Sequence, residues 1–187
     1  NYTIEVVGNW TNNNTFVAQQ GTVDFVGTTT GFVIEPGSSA FYNLTFSGGN
    51  GGWSFVPADM TVSNDVSIAT GTVTLPSGTT TVAGSFTNSG GVFAHNNATV
   101  YFTSTGAETI TASSSDFYNL GFNGTGGSWS VQDTYATTTN DVIVLAGTLS
   151  LPSGQLAIGA SLESGGTLTH NNGELRFFST NPDQLVD

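Results

Sequence analysis

The sequence contains no cysteine, and Arg176 is its one lysine or arginine. Without cysteine there is no disulfide bond, no thiolate metal ligand and no cysteine nucleophile. A formal net charge of -12 argues against a nucleic-acid ligand, because phosphates are neutralised by clustered Lys and Arg. The same shortage of cations excludes docking to an anionic membrane. Only 7% of residues are charged, against about 25% in an ordinary domain, so Thr, Ser, Asn and Gly must confer solubility.

Long apolar segments are also missing. No stretch approaches the roughly 18 apolar residues of a membrane span, so no membrane insertion is predicted. Scarce basic residues, acidity and abundant Thr, Asn and Gly are typical of secreted proteins, and we expect an extracellular, cell-surface location. The sequence starts at Asn1 in the middle of a repeat, without an initiator Met or a signal peptide. We therefore expect a processed product or a fragment.

What the sequence does contain is a long internal repeat. Residues 41–44, Phe-Tyr-Asn-Leu, return 76 positions later as residues 117–120, and Leu-Pro-Ser-Gly at 75–78 returns as 151–154. Self-similarity at a fixed period predicts a repeat architecture. We expect a single repeat domain over 1–187 that consists of a partial unit (1–40), a full unit (41–116) and a near-complete unit (117–187).

Each unit subdivides into short strands. Asn-Leu or Thr-Val pairs open segments spaced 18, 20, 18 and 20 residues apart, at Asn43, Thr61, Thr81, Thr99 and Asn119. The segments alternate apolar with polar residues and are separated by Gly and Asn clusters, whereas no apolar stripe has a helical period. This pattern favours an all-β parallel β-solenoid, or β-helix, of about ten rungs of ~19 residues. The alternative is tandem antiparallel β-sandwiches, which explain the long period but not its subdivision.

The repeat resembles those of a known class of surface protein. Residues 41–55 read FYNLTFSGGNGGWSF, and residues 64–110 include GSFTNSGGVFAHNN and TVYF. These strings are similar to repeats of large secreted cell-surface proteins of bacteria and archaea, of the adhesin-like and filamentous-haemagglutinin-like kinds. The resemblance covers essentially the whole chain. It implies a stalk, fibre or display scaffold, and it carries over no catalytic residue.

Recurring polar residues are the first candidates for a site. His95 and His170 each precede Asn-Asn, and in a solenoid they would lie about four rungs, near 19 Å, apart, which is too far to share a metal. A polar turn is the favoured interpretation. Asp65 and Asp141 recur within Asn-Asp-Val without a calcium-loop motif around them, so a capped turn is favoured there. We predict neither a metal nor a cofactor.

An enzyme is not predicted. The distinctive residues recur in each unit, whereas catalytic sites are asymmetric constellations. The acids that recur in phase do not supply the carboxylate pair of a glycoside hydrolase, and no nucleophile-elbow motif is present. Asp183 and Asp187 add carboxylates near the C-terminal end, again without a motif.

Two tryptophans also recur in phase, Trp53 and Trp129. If they are exposed, they provide a stacking platform for sugar rings, and the protein is then a polysaccharide-binding module. If they are buried, they fill a wide layer of the core. We favour the core.

The ends of the sequence carry the functional expectation. Solenoids normally end in atypical capping repeats. Residues 2–7 and 174–178 instead have the alternating pattern of ordinary apolar strands. We predict that they meet copies of the same chain or adjoining repeats of a longer one, by strand addition. The predicted protein is thus structural, the subunit of a surface filament or an adhesin stalk. The predicted contact residues are Tyr2, Ile4, Val6, Leu175, Phe177 and Leu185.

Overall fold

The computed structural model describes residues 2–56, 58–180, 185 and 186. The chain is an all-β parallel β-solenoid of about 9 turns with ~20 residues each, and the described residues contain no helix. Their strands are, in chain order, β1 (Thr3–Val6), β2 (Trp10–Thr11), β3 (Thr22–Phe25), β4 (Phe32–Glu35), β5 (Asn43–Phe46), β6 (Gly52–Phe55), β7 (Met60–Val62), β8 (Val66–Ile68), β9 (Thr72–Thr74), β10 (Thr79–Val82), β11 (Phe86–Asn88), β12 (Val92–Ala94), β13 (Thr99–Phe102), β14 (Ala107–Thr111), β15 (Asn119–Val131), β16 (Tyr135–Thr138), β17 (Val142–Ser150), β18 (Gln155–Ile158), β19 (Leu162–Ser164), β20 (Thr167–Thr169) and β21 (Glu174–Phe177).

Each turn of the solenoid passes over three faces. Face 1 stacks β1, β3, β5, β8, β11, β14, the second halves of β15 and β17, and β20. Face 2 stacks β2, β4, β6, β9 and β12, and then β16, β18 and β21. Face 3 stacks β7, β10, β13, the first halves of β15 and β17, and β19. Every one of these pairings is parallel, so the antiparallel sandwich alternative is wrong.

The core follows from the alternation within the strands. In β3 and β5, Val23 lies opposite Leu44 and Phe25 opposite Phe46, and all four side chains are buried. The rings of Phe25 and Phe46 stack with centroids 5.3 Å apart. Because parallel strands repeat about every 4.8 Å, inward residues at matching positions form continuous columns along the axis. One contiguous apolar core therefore runs through the described turns.

The 76-residue unit makes three and two-thirds turns rather than four. Its first strand, β5, lies on face 1, and the equivalent first half of β15 lies three turns and two faces further on, on face 3. The expectation of ten rungs of ~19 residues is thereby replaced by about 9 turns of ~20 residues. The physical reason is that Asn43 and Thr61, which open similar segments, lie on different faces, so the 18 residues between them cover only two-thirds of a turn. Each unit consequently begins one face earlier in the cycle of three faces than the unit before it: the full unit begins on face 1 and the next unit begins on face 3.

Candidate functional site at the two end turns

The two recurring tryptophans fill the core, as favoured from the sequence. Trp53 and Trp129 are 2% and 1% exposed, and each ring centroid lies 5.2 Å from that of the preceding buried phenylalanine, Phe46 or Phe122. Their outer ring edges press against glycine corners of the solenoid. The rings therefore present no face to a sugar.

The two histidines belong to tight turns, also as favoured. Nδ1 of His95 accepts a hydrogen bond from the backbone N–H of Asn97 at 3.0 Å. The following asparagines adopt positive φ in both copies, 48° at Asn96 and 42° at Asn171, and each donates its side-chain amide to the preceding turn, to Leu75 O and Leu151 O. The described residues contain no group of three or more His, Cys, Asp or Glu placed to hold a metal.

The recurring aspartates cap the backbone of the next turn, which confirms the capped-turn prediction. Oδ1 of Asp65 accepts the N–H of Ser85 at 2.8 Å, and Oδ1 of Asp141 accepts the N–H of Ser161 at 2.9 Å. Asp183 and Asp187 lie outside the described residues.

An asparagine network around these aspartates was missed in the sequence. Nδ2 of Asn64 donates to Oδ1 of Asn43 at 2.7 Å, and Nδ2 of Asn140 donates to Oδ1 of Asn119 at 2.8 Å. The recurrence of Asn in both Phe-Tyr-Asn-Leu and Asn-Asp-Val was the available signal, but the sequence does not show that the two motifs are neighbours in consecutive turns. The network fixes a corner of the solenoid and leaves these amides committed to structure.

A second set of polar contacts, around Asn88 and Ser115, holds a segment that crosses face 2 without forming a strand. Residues 112–117 cross face 2 between β12 and β16 without forming a strand. The fully buried Asn88 donates to Ala112 O at 3.0 Å and accepts the N–H of Gly91, while Oγ of Ser115 accepts the N–H of Phe93. In the first unit, Asn12 and Ser39 make the equivalent contacts. These buried polar side chains are thus satisfied by structural hydrogen bonds.

The concavities on the described surface are shallow. One of about 270 Å³ lies between residues 36–40 and 59–61 and contains Asp59 as its titratable side chain, which already accepts the N–H of Thr79 at 2.7 Å. Another, of about 440 Å³, runs along the glycine corner of residues 125–128, 145–148 and 165–167, which carry no titratable group. Neither concavity places an acid and a base next to each other.

The strand edges at the two ends of the described solenoid are the remaining candidate. Among the described residues, β1 pairs with β3 alone and β21 pairs with β18 alone. Apolar side chains that pack against the core but are only partly buried gather in these end turns: Val6, Trp10 and Phe16 in the first, and Leu168, Leu175 and Phe177 in the last.

Four of the six predicted contact residues lie on the strands β1 and β21, and the other two make contacts within the chain. Ile4 and Val6 on β1 and Leu175 and Phe177 on β21 are half-buried. Tyr2 instead donates its hydroxyl to Ala18 O at 2.8 Å and lies over Gly21 within its own turn. Leu185 is 51% exposed, and its N–H donates to Oγ of Ser161, so this segment runs along β19.

No protein-family model, no curated protein and no solved structure matches this chain. The structure shows the β-solenoid fold, and these comparisons identify no family for the chain. No helix among the described residues is long and apolar enough to cross a membrane.

Proposed function

We propose that the chain is a structural extracellular protein, a length of rod that serves as the subunit of a surface filament or as part of an adhesin stalk. The observation that carries the proposal is the pair of end turns, in which a strand edge and a half-buried apolar layer lie together. Both features favour continuation of the solenoid by further turns, contributed by copies of the chain or by adjoining repeats.

The energetics favour strand addition as the mode of assembly. Backbone hydrogen bonds across a newly paired strand provide affinity, and the inward side chains provide the register. Burial of the partly exposed apolar layers adds about 25 cal/mol for each Å² removed from water. A stack of about 9 turns, repeated every ~4.8 Å, is about 43 Å long, so end-to-end assembly produces a thin, stiff rod.

The composition of the surface supports an extracellular role. Threonine, serine and asparagine dominate the outward positions of the strands, and the net charge is -12. Such a surface stays soluble through hydration and self-repulsion, so that lateral aggregation of rods is disfavoured while the apolar end turns remain attractive. The resemblance to adhesin-like repeats points the same way.

Sedimentation velocity over a range of protein concentrations, followed by electron microscopy of the same samples, tests the proposal. We expect end-to-end oligomers that lengthen with concentration without thickening. A chain that stays monomeric at the highest concentrations would contradict self-assembly.

An edge-blocked variant sharpens this test. The carbonyls of Tyr2 and Val6 accept hydrogen bonds from the N–H groups of Thr22 and Val26 in the next turn. Bond direction alternates along a parallel strand, so the N–H groups of Thr3 and Glu5 point to the open edge. Thr3→Pro removes one of these donors without breaking an internal bond and should shorten the oligomers. Thr3→Ala keeps the N–H and serves as the control.

A further inference from the structure

The one lysine or arginine of the chain lies on β21, one of the open strands at the C-terminal end of the described solenoid. Arg176 is exposed at the centre of β21, and among the described residues it donates no hydrogen bond and makes no ion pair. Its column on face 2 continues with the neutral Ala157 and Thr137. No acidic side chain lies opposite Arg176 in this column.

The open strand β1 at the other end forms an unfavourable pair of acids with β3. On face 1, Glu5 of β1 lies directly opposite Asp24 of β3. Like charges opposite each other on neighbouring strands are destabilising. A cation on the open side of Glu5 would relieve this repulsion.

From these observations we propose that two copies of the chain join head to tail by parallel pairing of β1 on β21, in the register Thr3–Glu174, Ile4–Leu175, Glu5–Arg176 and Val6–Phe177. The inference rests on the proposed self-assembly and specifies its interface. The partner is a second copy of this chain, turned by one face so that its face 1 continues face 2 of the copy below.

The backbone meets the requirement of this register. In a pair of parallel strands, a residue whose N–H and C=O point at the partner strand lies opposite a residue whose own N–H and C=O point away from it. The N–H groups of Glu174 and Phe178 donate to Gly154 O and Ile158 O in the turn below, so those of Leu175 and Phe177 point to the open edge. Thr3 and Glu5 point to the edge on the other strand, and each falls opposite a residue that points away. A slip of one residue breaks this alternation.

The side chains select the same register. Ile4 and Val6 meet Leu175 and Phe177 on the core side, so these half-buried apolar side chains of the two end turns cover each other. On the solvent side the pairing joins Glu5 to Arg176.

Other arrangements lose the charge pair. A slip of two residues places Glu5 against Glu174. An unrotated stack places β1 on β20, where Glu5 faces the neutral Thr169.

Charge-reversal variants distinguish the proposed Glu5–Arg176 pair from the non-specific repulsion that follows from the net charge of the chain. Glu5→Arg makes the net charge of the chain less negative, so non-specific repulsion between copies predicts tighter association. The proposed pairing predicts the opposite, because Arg then faces Arg, and replacing an attraction with a repulsion weakens association roughly tenfold. Arg176→Glu should weaken it similarly, and the double variant Glu5→Arg/Arg176→Glu should return to within about twofold of the original. Asp116→Arg, exposed and distant from both edges, is the control with the same charge change as Glu5→Arg.

A disulfide tests the register independently, since the chain has no cysteine of its own. Mixing a Thr3→Cys chain with a Glu174→Cys chain under mild oxidation should give a covalent dimer, because facing residues of paired strands lie within disulfide reach. Thr3→Cys mixed with Arg176→Cys, two residues out of register, should give little.

Failure of the inference is distinguishable from failure of the proposed function. Association in which Glu5→Arg behaves like Asp116→Arg, without recovery in the double variant, overturns the interface but leaves self-assembly standing. Absence of association overturns both.

Discussion

The glycine corners offer a quantitative test of how the core holds the chain path. Gly147 has φ +89°, and a Cβ built on it would lie 2.6 Å from Gly124 O, 2.7 Å from Cζ3 of Trp129 and 2.8 Å from Gly127 O. Gly126 has a similar φ of +82°, but a Cβ there meets nothing within 4 Å. The two positions share the backbone strain and differ in packing, so Gly147→Ala and Gly126→Ala are a matched pair.

The expected losses follow from this difference. Alanine in the left-handed region costs about 1–2 kcal/mol, offset by about 0.4–1 kcal/mol from the lower entropy of the unfolded chain. Gly126→Ala should therefore lose about 1 kcal/mol. Gly147→Ala adds overpacking of the corner, typically 1–3 kcal/mol, for a total of about 3 kcal/mol. At 2–4 °C per kcal/mol for a chain of this size, the Tm should fall by about 3 °C and about 10 °C respectively.

Urea unfolding and thermal melts, followed by circular dichroism and tryptophan fluorescence, measure both variants. Solenoids need not unfold in one step, so a local probe is required. A Trp10→Phe/Trp53→Phe background leaves Trp129, which Gly147 touches, as the reporter. If Gly147→Ala proves as mild as Gly126→Ala, the corner is not packed against Trp129, and the explanation given for these glycines is refuted.

Three further predictions concern the polar contacts and the open edge. Asn88→Ala should cost about 2–4 kcal/mol in urea unfolding, because it leaves the Gly91 N–H and Ala112 O without their partner; an equal loss in the exposed Asn123→Ala would contradict this. Asp141→Ala should cost about 1–2 kcal/mol through the freed N–H of Ser161, whereas Asp116→Ala, exposed and without such a contact, should be neutral in the same assay. Trypsin can cut only after Arg176, and assembly through β21 should slow this cut as protein concentration rises; cleavage of equal rate in the chain and in Thr3→Pro at high concentration would argue against protection by pairing.

The sequence predicted the features that depend on local pattern. Alternation such as Asn43-Leu44-Thr45-Phe46 identified strands and inward residues, because a strand with one buried face has a period of two. The turn role of the two His-Asn-Asn segments was also predictable, since asparagine tolerates the positive φ that these corners adopt. The capping role of Asp65 and Asp141 followed from their recurrence together with the absence of a metal motif.

The number of turns could not be predicted by counting strand openings. Asn43-Leu44 and Thr61-Val62 have the same pattern, yet they occupy faces 1 and 3, because the loop of residues 36–41 replaces a strand on face 3 in the preceding turn. Which segments stack is decided by contacts between residues about 20 positions apart, and these have no local signature. The same limit hid the Asn43–Asn64 bond and the anchoring of residues 112–117 by Asn88.

The fractional number of turns bears on function. Because each unit sits one face back, equivalent residues do not line up: Trp53 lies on face 2 and Trp129 on face 1, and the turns of His95 and His170 follow faces 2 and 1. Repetition of the unit therefore does not place identical side chains next to one another along one face, because consecutive units present them on different faces, and a closely spaced binding platform requires such neighbours. What the repeat does preserve is independent of face, namely the inward columns, the glycine corners and the capping bonds. A surface that differs from unit to unit around a constant packing supports the proposed rod, and under that proposal the strongest specific contacts are expected at the open strands β1 and β21.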